Sequence, residues 1–268
     1  MEIPFYKYQG TGNDFVIIDN RQANYLSRTD HALVEQVCDR KFGVGADGLM
    51  LLQNSTDYDF EMVYFNADGY EGSMCGNGGR CIVAFANFLG AIGTQCRFVA
   101  VDGPHDAKVL PNGWVELKMV DVQEVEEGED FYFLDTGSPH YVAFSPDVAQ
   151  IDIVESGRAI RYSDRFKAEG TNVNFVQKEQ DKLIVATYER GVEDETLSCG
   201  TGVTAAALAA CLREESISDR KEKEGVTDIQ AKGGKLQIKF KRTAGGFEEV
   251  WLCGPATQVF NGTITIEI

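Results

Sequence analysis

The chain carries one short unit twice. An aromatic, β-branched run ends at Tyr64, and eleven residues later Cys75 opens Cys75-Gly76-Asn77-Gly78. A similar run ends at Tyr188, and eleven residues later Cys199 opens Cys199-Gly200-Thr201-Gly202. Apolar segments follow both turns, and the spacing predicts helices over Asn77–Leu89 and Thr201–Leu212. A repeated strand–loop–Cys–helix unit implies two similar domains related by a pseudo-twofold axis. The expected site lies between them, with one cysteine from each.

Around these units the pattern is mostly short strands. Phe5–Tyr8, Phe15–Asp19, Leu49–Gln53, Phe60–Phe65, Asn174–Gln177, Leu183–Tyr188 and Thr263–Ile268 are among the β-branched or aromatic runs bounded by turn residues. His31–Arg40 and Ile151–Ile160 read as amphipathic helices. Asp121–Asp130 reads as an acidic linker or exposed edge, and Glu214–Glu224 as a solvated mixed-charge loop.

Charge and cysteine usage exclude several classes of function. With 25 basic and 42 acidic residues the net charge is −17, the wrong sign for a nucleic-acid or anionic-membrane surface. No apolar run approaches the ~20 residues that span a bilayer, and the start lacks an export signal, so a cytoplasmic protein is expected. Seven cysteines in a chain of this length argue against a disulfide framework. No C-x-x-C pair occurs, and His31, His105 and His140 have no second ligand nearby in sequence, so no metal site is expected. Cys38, Cys81 and Cys211 read as core residues of helices, and Cys96 and Cys253 as core residues of strands.

Cys75 and Cys199 are different because of where they stand. A helix N-terminus carries unpaired N–H groups and partial positive charge. Glycine lets a ligand approach that backbone, so each turn can cradle a carboxylate. The same field stabilises a thiolate. Two such cysteines can act as a thiolate base on one side of a carbon acid and a thiol acid on the other, as in a two-base racemase or epimerase. One copy of the turn would read as a tight bend with a buried Cys; two copies at equal spacing favour function. No phosphate loop with a partner Lys suggests pyridoxal phosphate, and the cysteine pair makes a cofactor unnecessary.

At these residues the sequence resembles the diaminopimelate epimerases. The resemblance spans the chain through Gly10-Thr11-Gly12-Asn13-Asp14-Phe15, Gly43-Val44-Gly45-Ala46-Asp47-Gly48, Phe65-Asn66-Ala67-Asp68-Gly69 and Cys75-Gly76-Asn77-Gly78-Gly79-Arg80-Cys81. It continues through Thr136-Gly137-Ser138-Pro139-His140, Gly170-Thr171-Asn172-Val173-Asn174-Phe175, Tyr188-Glu189-Arg190-Gly191 and Ser198-Cys199-Gly200-Thr201-Gly202. It implies a cofactor-independent epimerase that interconverts LL- and meso-diaminopimelate, feeding lysine and peptidoglycan precursors. It also implies an α+β fold of two pseudo-symmetric domains, each a curved, mostly antiparallel sheet wrapped around a central helix. Residues 1–118 with 257–268 would form one domain and 119–256 the other. A homodimer is the family-level expectation.

By position, the resemblance makes Cys75 and Cys199 the acid/base pair. Gly76, Asn77, Gly200 and Thr201 would hold the reacting carboxylate. Asn13, Asn66, Asn172, Glu189 and Arg190 would hold the distal amino-acid end, where Arg can fork a carboxylate and Glu can accept from an ammonium. His140 and Glu189 would tune the thiols; otherwise His140 is a loop residue after Pro139. Arg80 reads as structural support. Two positions depart from the family pattern: Ser138 stands where many members have Asn, and Gly48 where some have Gln. Three other readings stay open. A proline or hydroxyproline racemase would use the same cysteine pair. The cysteines could instead form a redox-sensing disulfide, or the chain could be a binding module without catalysis.

Overall fold

The computed structural model describes residues 1–214 and 222–266. The chain divides into two compact units, Met1–Leu117 with Gly254–Ile268, and Lys118–Cys253. Both follow the same plan of strand pairing and differ in how the covering strand is connected.

In the first unit, strands β1 (Glu2–Gly10), β2 (Asn13–Asp19), β3 (Gly48–Gln53), β4 (Glu61–Asn66), β5 (Gln95–Ala100), β6 (Gly103–Val109) and β7 (Val115–Lys118) pair in chain order. Strand β17 (Thr257–Thr265) returns to pair antiparallel with β1. Only β2/β3 and β4/β5 are parallel, as crossover connections require. The crossovers carry helices α1 (His31–Cys38) and α2 (Gly76–Phe88).

The second unit repeats this plan. It contains β8 (Val125–Glu127), β9 (Phe131–Asp135), β10 (Pro139–Phe144), β11 (Asn172–Glu179) and β12 (Lys182–Glu189), followed by β13 (Asp194–Thr196), β14 (Lys223–Ala231), β15 (Gly234–Thr243) and β16 (Gly246–Gly254). Here β10/β11 and β12/β14 are the parallel pairs, crossed by helices α3 (Ile153–Arg161) and α4 (Gly200–Arg213). Strand β8 covers β9 as β17 covers β1. The paired strands are mostly antiparallel in both units.

Period-two alternation explains how each sheet holds one helix on each face. Val16, Ile18, Leu49, Leu51, Val63 and Phe65 form a core with Val34 and Val37 of α1. On the opposite face, Phe15, Met50 and Met62 lie against Gly78 of α2. Strands β2 to β4 are therefore apolar on both faces and read as continuous hydrophobic runs. Helix α2 also packs on β1, β3, β6 and β17. Contact with strands so far apart in the order wraps the sheet around the helix. In the second unit Val173, Phe175, Ala186 and Tyr188 form a core with α3, while Asn174 and Thr187 lie against Gly202 of α4. That face of the second sheet is polar where it meets the start of α4.

Several elements depart from the sequence expectations. Helix α1 stops at Cys38 because Asp39 turns extended and its carboxylate accepts N–H bonds from Lys41 (2.6 Å) and Phe42 (2.7 Å). Helix α3 starts at Ile153, capped by Asp152 accepting from Glu155 N–H at 2.9 Å. The acidic stretch Asp121–Asp130 contains strand β8. Strands β6, β13 and β14 were not expected; their polar and charged residues hide the alternation that burial reveals in β6 and β14. In the expected loop Glu214–Glu224, Glu214 caps α4 and Lys223-Glu224 open β14; residues 215–221 lie outside the described residues. The last strand ends at Thr265, and 267–268 of the expected Thr263–Ile268 strand also lie outside them. The five cysteines expected in the core are all buried and reduced. Among the described residues no helix is long and apolar enough to cross a membrane.

Candidate active site

Both cysteines of the repeated unit are helix N-caps. Cys75 caps α2 with extended backbone (φ −96°, ψ 133°), and its carbonyl accepts from Gly79 N–H at 2.7 Å. Cys199 caps α4 (φ −111°, ψ 114°), and its carbonyl accepts from Val203 N–H at 2.9 Å. Neither side chain bonds the helix end as Ser or Asp would. Neither helix has an acidic residue in its first turn, so nothing there offsets the dipole.

In the first unit, a two-residue hairpin turn brings Asn13 to Cys75. Thr11 (φ 51°) and Gly12 (φ 90°) both take the left-handed region that such turns require. A β-branched residue is strained there, and Thr11 is held by its hydroxyl, which lies 3.4 Å from Asn77 Oδ1 and 3.3 Å from Arg80 Nη2. The Cys75 thiol donates to Asn13 Oδ1 at 3.5 Å, and Asn77 Nδ2 donates to the same oxygen at 3.4 Å. Buried Arg80 donates to Gly76 O (3.2 Å) and Asn77 Oδ1 (3.0 Å), which bears out its reading as support.

Behind Asn13 stands a charge cluster not foreseen from the sequence. Asn13 Nδ2 donates to Asp47 Oδ2 at 2.6 Å, which turns the amide carbonyl toward Cys75. Arg40 bridges Asp47 and Asp14, both at 2.7 Å, and Lys7 reaches Asp14 at 2.7 Å. Burial alone would raise the Asp14 pKa, but Arg40 and Lys7 hold it well below the usual carboxylate range. Asp14 and Asp47 both sit in turn motifs beside Asn13 and Gly48, and two acidic residues in glycine-rich turns were the available signal.

Asn66 enters none of these side-chain bonds among the described residues. It ends β4 in a turn closed by Gly69 N–H to Asn66 O at 3.0 Å, and its amide lies over Gly72. Gly69 has φ +83°, and a Cβ there would lie 2.1 Å from His31 O, so only glycine fits.

Gly48 has a local explanation. A Cβ there would lie 2.5 Å from Phe65 O and 2.6 Å from the Tyr64 ring. The Tyr64 ring occupies the space that a longer side chain at position 48 would need. Gly48→Gln is therefore expected to lower stability by about 1–3 kcal/mol, the usual cost of overpacking. Urea unfolding checks this, and an unchanged midpoint would refute the packing argument.

In the second unit, His140 is part of β10 and fully buried, so it is not a loop residue. Its Nε2 lies 2.8 Å from Thr201 Oγ1 and 3.0 Å from Ser138 Oγ; Thr201 Oγ1 in turn lies 3.4 Å from Cys199 Sγ. Burial pushes the His140 pKa down to about 3, so the ring is neutral at ordinary pH. Asn172 pairs with His140 in the parallel β10/β11 register. Its amide donates to Ser138 Oγ (3.1 Å) and Pro139 O (3.3 Å), and its carbonyl accepts from Arg190 N–H (2.9 Å). Ser138 thus ties together His140, Thr201 and Asn172. Burial raises the Glu189 pKa. The exposed Arg190 guanidinium donates to Glu169 O at 2.8 Å.

Sequence reading missed Asn174 and Thr187 here. Asn172 and Asn174 alternate on one strand and so share a face, and Thr187 pairs with Asn174 across β11/β12. Two asparagines spaced by two in an otherwise apolar strand were the signal. Among the described residues no group of three or more His, Cys, Asp or Glu side chains could hold a metal ion.

Comparison with known proteins places the chain in a family. The family profile described as "Diaminopimelate epimerase" matches residues 5–125 and 132–259. A diaminopimelate epimerase from Flavobacterium psychrophilum is 46% identical over 97% of this chain and 99% of its own length. One from Chlorobaculum tepidum is 41% identical over 96% and 99%. Among solved structures, a phenazine biosynthesis protein of the PhzF family from Bacillus anthracis shares the fold with a TM-score of 0.77 at 12% identity, covering 99% of this chain and 100% of that one. A hydroxyproline epimerase from Agrobacterium vitis does so with a TM-score of 0.65 at 13% identity, covering 98% and 92%. Matched along nearly its whole length at these identities, the chain belongs to the diaminopimelate epimerase family.

Proposed function

We propose that this chain interconverts LL- and meso-2,6-diaminopimelate, a lysine precursor, by a two-base mechanism with Cys75 and Cys199 as the bases. The observation that carries the reading is that both cysteines cap long helices whose first turns hold no acidic residue. One thiolate removes the α-proton from one face of the carbon, and the other thiol returns a proton to the opposite face. The thiol and thiolate exchange roles when the direction reverses. No step needs a cofactor.

The obstacle is the weak acidity of a proton beside a carboxylate and an ammonium. Charge that leaves the α-carbon spreads into the carboxylate, where the N–H groups at the starts of α2 and α4 stabilise it. Gly76, Asn77, Gly200 and Thr201 supply those turns. Asn13, Asn66, Asn172, Glu189 and Arg190 hold the distal amino-acid end. The exposed Arg190 guanidinium is suited to a carboxylate, and the partly buried Glu189 to an ammonium. His140, being neutral, acts on Cys199 through hydrogen bonds and not through charge.

The test is α-proton exchange. Reduced protein in D₂O with LL-diaminopimelate should incorporate deuterium at the α-carbon while meso product forms, followed by NMR. Proline run in parallel should show neither. Exchange with proline alone would keep the mechanism and replace the substrate. Silence with both would overturn the assignment.

A further inference from the structure

We propose that Asn174 is a positioning residue that fixes His140 as its Nε2–H tautomer, so that the Thr201 hydroxyl proton is directed onto the Cys199 sulfur. This rests on reading Cys199 as one of the two acid/base groups, and it adds a residue for which the mechanism has no other use.

The direction of the hydrogen bonds is forced as far as His140 Nδ1 and is assigned from there outward. Asn174 is fully buried. One side-chain atom lies 3.0 Å from Tyr141 O, and a carbonyl oxygen can only accept, so that atom is the amide nitrogen. The same nitrogen lies 3.0 Å from His140 Nδ1. An amide N–H donates, so Nδ1 accepts and carries no proton. The other side-chain atom of Asn174 accepts from the Thr187 hydroxyl at 2.9 Å, which holds the amide in this orientation. His140 must then carry its single proton on Nε2.

From Nε2 the direction continues outward. Nε2–H donates to Thr201 Oγ1 at 2.8 Å, the shortest of its contacts. Asn172 Nδ2 also lies 3.4 Å from Nε2, but its two hydrogens go to Ser138 Oγ and Pro139 O. Ser138 accepts from Asn172, and with Nε2 protonated the acceptor among its contacts for its own proton is Thr201 Oγ1 at 3.2 Å, so it is assigned there. Thr201 Oγ1 therefore receives two hydrogen bonds and has both lone pairs filled. Among these groups the acceptor left for its own proton is Cys199 Sγ, at 3.4 Å. An O–H aimed at sulfur stabilises the thiolate. Burial keeps the His140 ring neutral, so it has a single proton to place.

Two measurements test this. In ¹⁵N-labelled wild-type protein, NMR should show His140 Nδ1 as a pyridine-like nitrogen and Nε2 as a pyrrole-like one at neutral pH. Protonated Nδ1, alone or with Nε2, would overturn the proposal. In the second, the rate of Cys199 alkylation by iodoacetamide is followed by peptide mapping. Asn174→Asp puts an acceptor at Nδ1, which should move the proton there and turn Nε2 into an acceptor for a hydroxyl. Thr201→Val removes the hydroxyl itself. Each should slow alkylation at fixed pH about tenfold, the worth of one hydrogen bond to a charged group. Thr201→Ser should restore it. Unchanged alkylation in Thr201→Val would overturn the proposal even if Asn174→Asp failed to fold. Absence of α-proton exchange with diaminopimelate would remove the proposed reaction but leave both of these readouts intact.

Discussion

Cys75→Ala and Cys199→Ala should each lose epimerisation by about 10²–10⁴-fold, the range set by removing one acid/base group. The loss should come with little change in stability, because neither sulfur caps its helix. A sharper signature separates two bases from one. Each variant keeps one thiol, which can still remove and return the α-proton on its own face. Cys199→Ala should wash deuterium into one α-stereoisomer without inverting it, and Cys75→Ala into the other. A single base serving both faces would leave one variant active and the other silent in every assay. Epimerisation near the wild-type rate in either variant would dismiss the pair.

The repeated turns were legible because their requirements are local. A cysteine before Gly-x-Gly and a long apolar run can hardly be anything but the start of a buried helix. The structure begins α2 at Gly76 and α4 at Gly200 accordingly. The duplication also extends to pairing: β2/β3 and β10/β11 are both parallel, as are β4/β5 and β12/β14. Strand β14 was not legible because one of its faces is exposed, with Glu224 and Asp228 on it, and the other opens on Lys223 and Gly225 before its apolar residues begin.

What supports the cysteines was harder to read, because it depends on partners distant in sequence. Asp47 reaches Asn13 across 34 positions, and His140 meets Asn174 and Thr201 across 34 and 61. Each partner alone reads as a turn residue or a polar interruption in a strand. Only the register of β11 and β12 puts Asn174 and Thr187 against the first turn of α4, and that of β10 and β11 puts Asn172 beside His140. For His140 the alternative reading, a loop residue after Pro139, fails because strand pairing buries it.

That burial carries a thermodynamic consequence large enough to measure. Burial comes first in pushing the His140 pKa down from 6.5 to about 3, and the Arg190 charge adds to it. Below about pH 6.5 the unfolded chain takes up a proton at this residue, while the native state refuses it until about pH 3. The unfolded state then binds more protons, so stability falls as pH drops through this window. The slope approaches about 1.4 kcal/mol per pH unit, so the step from pH 7 to 5 should cost about 2 kcal/mol. That is a large share of a typical stability of about 5–15 kcal/mol. Asp14, whose native pKa is lowered, acts in the same direction but only at more acid pH, where carboxylates in the unfolded chain protonate. The pH 7 to 5 interval therefore isolates the histidine from it. Urea unfolding of the wild type and of His140→Gln at both pH values should show the loss in the wild type and a flatter response in the variant. His140→Gln will be less stable at pH 7 because it disturbs the Thr201 and Asn174 bonds, so the comparison lies in the pH dependence and not in the absolute values. Parallel pH dependences in the two proteins would mean that His140 accepts a proton in the native state, and that its ring is not the neutral donor that the bonds around it require.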